Sequence, residues 1–124
     1  MLHINIKPLS VNEAWQGRRF KTDKYKRYEN ALLFSLPHFT DFTRFDAKDK
    51  LSIIMEFGFS NKASDIDNPV KPFMDILQKK YGFNDKNVYE LILKKRIVPK
   101  GGESIAFNIK QVSLNKDGSI RKIK

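Results

Sequence analysis

The sequence predicts an α+β fold, a mixed sheet with two main helices packed on it. Three observations predict this class. Residues 51–59 (L-S-I-I-M-E-F-G-F) place large apolar residues at every second position, the period of a strand. Two segments, from about Asp23 to Ser35 and from Pro69 to Tyr81, instead repeat apolar residues at three and four, as a helix buried along one side does. Finally, Pro99-Lys100-Gly101-Gly102 separates two further period-two runs, which reads as an antiparallel hairpin near the end of the chain. Such elements bury their apolar sides best as helices laid against a sheet. At 124 residues the chain is one domain, assigned to residues 1–114, with 115–124 (N-K-D-G-S-I-R-K-I-K) expected as a basic tail of little order.

Taken in order, Leu2, Ile4 and Ile6 alternate with His3, Asn5 and Lys7, as in a half-buried first strand. A polar loop is expected through Ser10, Asn12 and Gly17-Arg18-Arg19. The first helix has Tyr25, Tyr28, Leu32 and Ser35 on one side and Pro37 beyond its end. Residues 39–50 read as a loop rich in aromatic and charged residues. In the central strand Leu51, Ile53, Met55, Phe57 and Phe59 share a face. After the second helix, Val88–Ile97 reads as a strand with Tyr89, Leu91, Leu93 and Ile97 inward, and Ile105, Phe107 and Ile109 form the strand returning beside it.

Between the central strand and Val88 lies S-D-I-D-N-P-V-K-P-F-M-D-I-L-Q-K-K-Y-G-F-N-D-K-N, residues 64–87. In an extended segment Asp65 and Asp67 point to one side while Ile66 turns away. Two carboxylates that close repel unless a cation neutralises them or one takes a proton. Asn68 suits a helix N-cap, Pro69 the first helical position, and Pro72 is tolerated only in the first turn. Val70, Phe73, Ile76, Leu77 and Tyr81 form the apolar stripe, with Lys71, Asp75 and Gln78 opposite and Gly82 as terminator. The turn through Phe83-Asn84-Asp85 is expected to bring a third carboxylate back toward the first two, with Lys71 beside them. An EF-hand loop does not fit, because Pro69 and Val70 stand where a ligand and the required glycine belong. Taken singly, each residue has a plainer reading: D-x-D pairs are common turn acids, and Lys71 is a surface lysine paired with Asp75 four residues on.

Taken together, these residues resemble the RusA family of Holliday junction resolvases. That family's signature reads roughly D-L-D-N-x-x-K-x-x-x-D-A-L, a Gly-containing turn, then D-D-x-x-V or D-D-x-x-I. Asp65, Asp67, Asn68, Lys71 and Asp75 match it in order and spacing without a gap. Asp85 falls on the second acid of the closing pair, and Asn84 stands in place of the first, which implies that this acid is dispensable or that metal affinity is lower. The opening K-P-L-S-V-N-E-A-W is also similar to the family's first strand and loop. The resemblance implies a small homodimeric endonuclease, dependent on Mg²⁺ with Mn²⁺ as a substitute, that cuts four-way junctions and other branched DNA. It further implies a phage or prophage origin and a place in the bacterial cytoplasm. Asp65, Asp67 and Asp85 would then be the metal ligands, and Lys71 would stabilise the phosphorane or protonate the leaving group.

Charge bears on the same point. Twenty-four Lys and Arg against 14 Asp and Glu give a net charge of +10, which points to nucleic acid, an anionic membrane or a ribosomal partner. No apolar run approaches the ~18 residues of a membrane span. The absence of cysteine excludes disulfides and thiolate catalysis, and His3 and His38 are too few for a zinc site. Arg18, Arg19, Lys21, Lys62 and Asn68 are expected near the acids as DNA contacts, with Lys79-Lys80 and Lys94-Lys95-Arg96 as further phosphate contacts; each is otherwise a solvated surface residue. Trp15 and Phe20 are either junction wedges or packing residues. Two other functions fit the composition: a non-catalytic basic DNA-binding protein, and a less selective nuclease of the same fold.

Overall fold

A computed structural model describes residues 1–16, 20–38 and 48–121. The chain runs β1 (Leu2–Ile4), α1 (Val11–Ala14), β2 (Trp15–Gln16), β3 (Phe20–Lys21), α2 (Asp23–Ser35), β4 (Lys50–Phe59), α3 (Val70–Tyr81), β5 (Val88–Ile97), β6 (Ser104–Leu114) and β7 (Ile120–Arg121). It is the mixed α+β architecture expected. The main sheet has the order β1-β6-β4-β5, with β7 added to β6, and β2 and β3 form a small separate ladder.

The connectivity differs from the expected hairpin. β5 runs parallel to β4 and β6 antiparallel to it, so β4 lies between the two strands read as neighbours. Burial explains the central place of β4. Leu51, Ile53, Met55 and Phe57 are fully buried on the helical side, and Ser52 and Gly58 are buried on the other. Ile54 and Glu56 between them are half-buried, and β4 is hydrogen-bonded along both edges, to β5 and to β6. After β5 the chain crosses the end of β4: Val98 N–H donates to the Phe59 carbonyl at 2.8 Å, and Ser104 pairs with Gly58. A Cβ on Gly58 would stand 2.9 Å from Ser104 Oγ and 3.3 Å from Ser104 N, so a larger residue there would force its neighbours to shift.

Both main helices follow their apolar stripes. Thr22 Oγ1 caps α2 by accepting from Tyr25 N–H, and α2 buries Tyr25, Tyr28 and Leu32. Gly82 ends α3 in the left-handed region at φ 75°, where its N–H donates to the Gln78 carbonyl. Phe73 of α3 seats itself between strands, edge-on to Phe57 of β4 at 6.1 Å and to Phe107 of β6 at 5.4 Å. This helical layer covers β4 and β6 but leaves the edge strand. Of the β5 residues expected inward, only Leu93 packs on the core; Tyr89, Leu91 and Ile97 are exposed.

Three further differences are local. The segment read as a polar loop contains α1, capped by Ser10 Oγ, which accepts from Asn12 N–H at 3.2 Å. Residues 115–121, read as part of a weakly ordered tail, form a turn and β7. Ser113 pairs with Arg121, and Asp117 accepts from both the backbone N–H and the hydroxyl of Ser119. Asp117-Gly118 is a turn signal already present in the sequence. Most of the aromatic loop expected at 39–50, residues 39–47, lies outside the described residues.

Candidate functional site

The acids before α3 are placed by turns, where an extended segment was expected. Asn68 N–H donates to the Asp65 carbonyl at 3.4 Å and Val70 N–H to the Asp67 carbonyl at 3.1 Å. Pro69, not Asn68, occupies the capping position, at φ −84° and ψ −4°, with no side chain capping the helix. Proline's fixed φ and missing N–H suit this last step into the helix, so the chain curls before Val70. Asp65 and Asp67 thereby stand on an exposed corner, and neither carboxylate is bonded to a described residue.

That corner is held from three sides. Val11 N–H of α1 donates to the Asn68 carbonyl at 2.8 Å. Pro69 is buried beneath it. From β5, the Lys95 ammonium donates to the Lys62 carbonyl at 2.8 Å and to the Ser64 carbonyl, and lies 5.8 Å from the centre of the Phe59 ring. Lys95, read from sequence as a phosphate contact, is therefore a clamp on the loop bearing the acids. Lys95→Met is expected to cost about 0.5–1.5 kcal/mol and to speed amide exchange at 62–68 selectively. Unchanged exchange there would show the clamp to be idle.

Asp65 and Asn68 line a groove of about 210 Å³ together with Lys7, Ser10, Glu13, Asn61 and Glu103. This is below the roughly 300–1,000 Å³ of small-molecule pockets, so the site is a surface groove that suits a polymer backbone better than an enclosed ligand. Glu13 and Glu103 were not singled out by sequence, because only the fold brings them there. Glu13 pairs with Lys24. Glu103 accepts from Ser60 Oγ at 3.0 Å and Gly101 N–H at 2.7 Å. Hydrogen bonds from its own backbone N–H and from Ser60 hold its carboxyl below the usual carboxylate range. Both of these acids are already engaged, unlike Asp65 and Asp67.

Lys71 stands one turn beyond Asp67, largely exposed, with its ammonium 3.4 Å from Asp75. Such an exposed pair is worth only a few tenths of a kcal/mol, so the lysine is readily drawn to a stronger anion. Asp85 is placed elsewhere. It opens the 3₁₀ turn Asp85–Asn87, and its N–H donates to Gln78 Oε1 at 2.9 Å, near the C-terminal end of α3. The 12 residues of α3 span about 18 Å, which separates Asp85 from Asp65 and Asp67 within one chain. The expected convergence fails because β4 and β5 are parallel. Leu51 pairs with Val88 and Phe59 with Ile97, so the residue preceding β5 lies at the start of β4 while Asp65 follows its end. Among the described residues no three His, Asp or Glu are grouped so as to hold a metal ion. Asp65 and Asp67 alone do suit Mg²⁺, a hard cation that is usually held by one or two carboxylates and keeps several waters.

The other expected contacts divide. Lys62 is exposed in the loop before the corner, and Lys94 and Arg96 on β5 are exposed too, on the sheet face opposite to that of Lys95. Lys21 and Lys79 both pair with Glu29, at 3.3 and 3.2 Å, and Lys80 donates to the Leu33 carbonyl. Trp15 packs against the buried Tyr25, their ring centres 5.9 Å apart, which makes it a packing residue. Arg18 and Arg19 lie outside the described residues. No helix among the described residues is long and apolar enough to cross a membrane. The sequence matches no protein-family model and no curated protein.

Proposed function

We propose that this chain is a Mg²⁺-dependent, structure-selective endonuclease of the RusA type, which resolves four-way junctions and related branched DNA by paired phosphodiester cleavage in the cytoplasm of a bacterial host. One observation supports it above the others: two carboxylates, Asp65 and Asp67, which bond to no described residue, share an exposed corner of a chain whose net charge is +10. Free acids on a DNA-binding surface repel phosphate and weaken binding, so they make sense where a cation is to be held between them and the strand.

Asp65 and Asp67 would hold Mg²⁺, which supplies a more acidic bound water and polarises a phosphoryl oxygen. Lys71, whose exposed pair with Asp75 is weak, would donate to the oxygen on which charge develops. Lys62 and Asn68 would bind and orient the strand beside the groove, and the shallow shape admits wide duplex arms. The position of Asp85 favours a second reading, a non-catalytic junction-binding protein, because one chain by itself does not assemble the full set of three acids.

Incubation with a synthetic four-way junction separates the two. The nuclease reading expects symmetric nicks with Mg²⁺ and none with EDTA; binding without any cleavage across Mg²⁺ and Mn²⁺ concentrations would leave only the second. In the same assay Lys71→Ala should lower the single-turnover rate on the order of 10²-fold with little loss of junction affinity. Lys71→Arg should recover little, since a planar fork does not replace a compact ammonium. Near-normal turnover combined with weak binding would instead make Lys71 one phosphate clamp among several.

A further inference from the structure

The groove beside Asp65 holds one cation that has no task in the fold. Among the residues lining it Lys7 alone is basic, against the three acids Asp65, Glu13 and Glu103. Lys7 follows β1, and the next two residues, Pro8 and Leu9, are buried, so its backbone is pinned while the residue itself is exposed. Among the described residues no hydrogen bond or ion pair holds its ammonium. The neighbouring cations are engaged: Lys24 with Glu13, Lys95 with the Lys62 and Ser64 carbonyls, and Lys71, weakly, with Asp75. Lys7 acts on the groove through its field. After the hydrogen bonds from its own backbone N–H, from Ser60 and from Gly101, that field is a further cause holding the Glu103 carboxyl below the usual range.

A groove of this composition repels DNA unless cations offset its acids. Mg²⁺ at Asp65 and Asp67 would do so only at the corner, for the phosphate being cut. A strand laid across the groove also carries the neighbouring phosphate, and that one has to pass the wall bearing Glu13 and Glu103. Lys7 is the only cationic partner this wall offers it. The charge is uncommitted, so the phosphate need not break an ion pair to reach it.

We propose that Lys7 binds the phosphate next to the one being cut, and so sets which bond of the strand stands at Asp65 and Asp67. Lys7 takes no part in the metal or proton chemistry; it fixes register, which is what phosphate contacts do. The choice of bond rests on the proposed nuclease function, whereas the phosphate contact needs only that the groove receive DNA. Glu103 is the opposing element. Pinned by Ser60 and Gly101, its charge stays on the wall and keeps phosphate away from every place but the one beside Lys7. Arginine also binds phosphate well, so it should replace lysine here, in contrast to Lys71.

The first readout needs neither metal nor cleavage. Fluorescence anisotropy of a labelled four-way junction is followed in EDTA between about 50 and 200 mM NaCl. Lys7→Ala should bind roughly five- to tenfold more weakly, with the slope of log affinity on log salt reduced by ~0.9, one phosphate contact. Lys7→Arg should match the wild type. Glu103→Gln, which can still accept from Ser60, should bind about two- to threefold more tightly. Lys116→Ala is the control: it removes the same charge from the β6–β7 turn, at the end of the sheet away from the corner, and should change affinity less than about twofold. All four should keep the wild-type circular dichroism spectrum. The second readout is the cleavage map. In Mg²⁺ at saturating protein the wild type should nick a single bond in each strand it cuts. Lys7→Ala should nick neighbouring bonds as well, and Lys7→Arg should restore the single bond. A Lys7→Ala protein whose affinity and salt slope are unchanged, or change no more than those of Lys116→Ala, overturns the phosphate contact. Weaker binding with the wild-type cleavage map overturns the register role. Affinities that shift as expected in a protein that never cuts uphold the contact and refute only the nuclease function.

Discussion

Asp65→Asn and Asp67→Asn, made separately, are each expected to lower Mg²⁺-dependent cleavage of a four-way junction by about 10³-fold or more, ~4 kcal/mol of barrier. Each substitution removes one of two exposed carboxylates on the corner before α3, neither bonded to a described residue, and keeps its size. Neither side chain supports the fold, so melting temperature should be unchanged. Junction binding should hold or tighten, because a negative charge facing phosphate is lost. Single-turnover cleavage at saturating protein, with a gel-shift titration alongside, reads the two effects apart. Cleavage by either variant at the wild-type rate would remove the metal site from the corner. Asp85→Asn should show the same loss of rate, although Asp85 lies at the far end of α3 in its own chain.

The largest expected effect on stability is at Phe73. Phe73→Ala should cost about 3–5 kcal/mol, read as a fall in the urea midpoint. The ring is fully buried and meets Phe57 and Phe107 edge-on, so truncation leaves a cavity where α3 joins β4 to β6. Domains of this size hold only ~5–15 kcal/mol in total, so the variant should be near its unfolding limit at 37 °C. Phe34→Ala is the matching control. Phe34 is 92% exposed, and its truncation should change the midpoint little. Equal losses at the two positions would mean that Phe34 is covered in solution by something outside the described fold.

Much of the architecture is legible along the chain because helices and strands are governed by local periodicity. The bounds of α2, the Gly82 terminator and the inward set Leu51, Ile53, Met55 and Phe57 follow from spacing and backbone chemistry within a few residues. The β7 turn was legible too, in Asp117-Gly118, but its basic composition argued for a tail. The tie from Lys95 to the Lys62 and Ser64 carbonyls was not, since it joins residues more than 30 apart that share no pattern.

By itself the sequence determined the α+β class, the two helices, the pair of acids before α3 and the strongly basic net charge. Each depends on residues that are neighbours in the chain or repeat at a fixed period. Tertiary structure alone decided strand order, and with it the position of every long-range partner. β5 and β6 both offered alternating patterns that would suit a hairpin, but β4, with Leu51, Ile53, Met55 and Phe57 fully buried under the helices, took the place between them. That choice made β5 parallel to β4, put it at the sheet edge where the helices leave Tyr89, Leu91 and Ile97 uncovered, and sent Asp85 to the opposite end of α3 from Asp65 and Asp67. Periodicity specifies which side of a strand is apolar; which strand lies beside it is settled by the burial of the whole sheet.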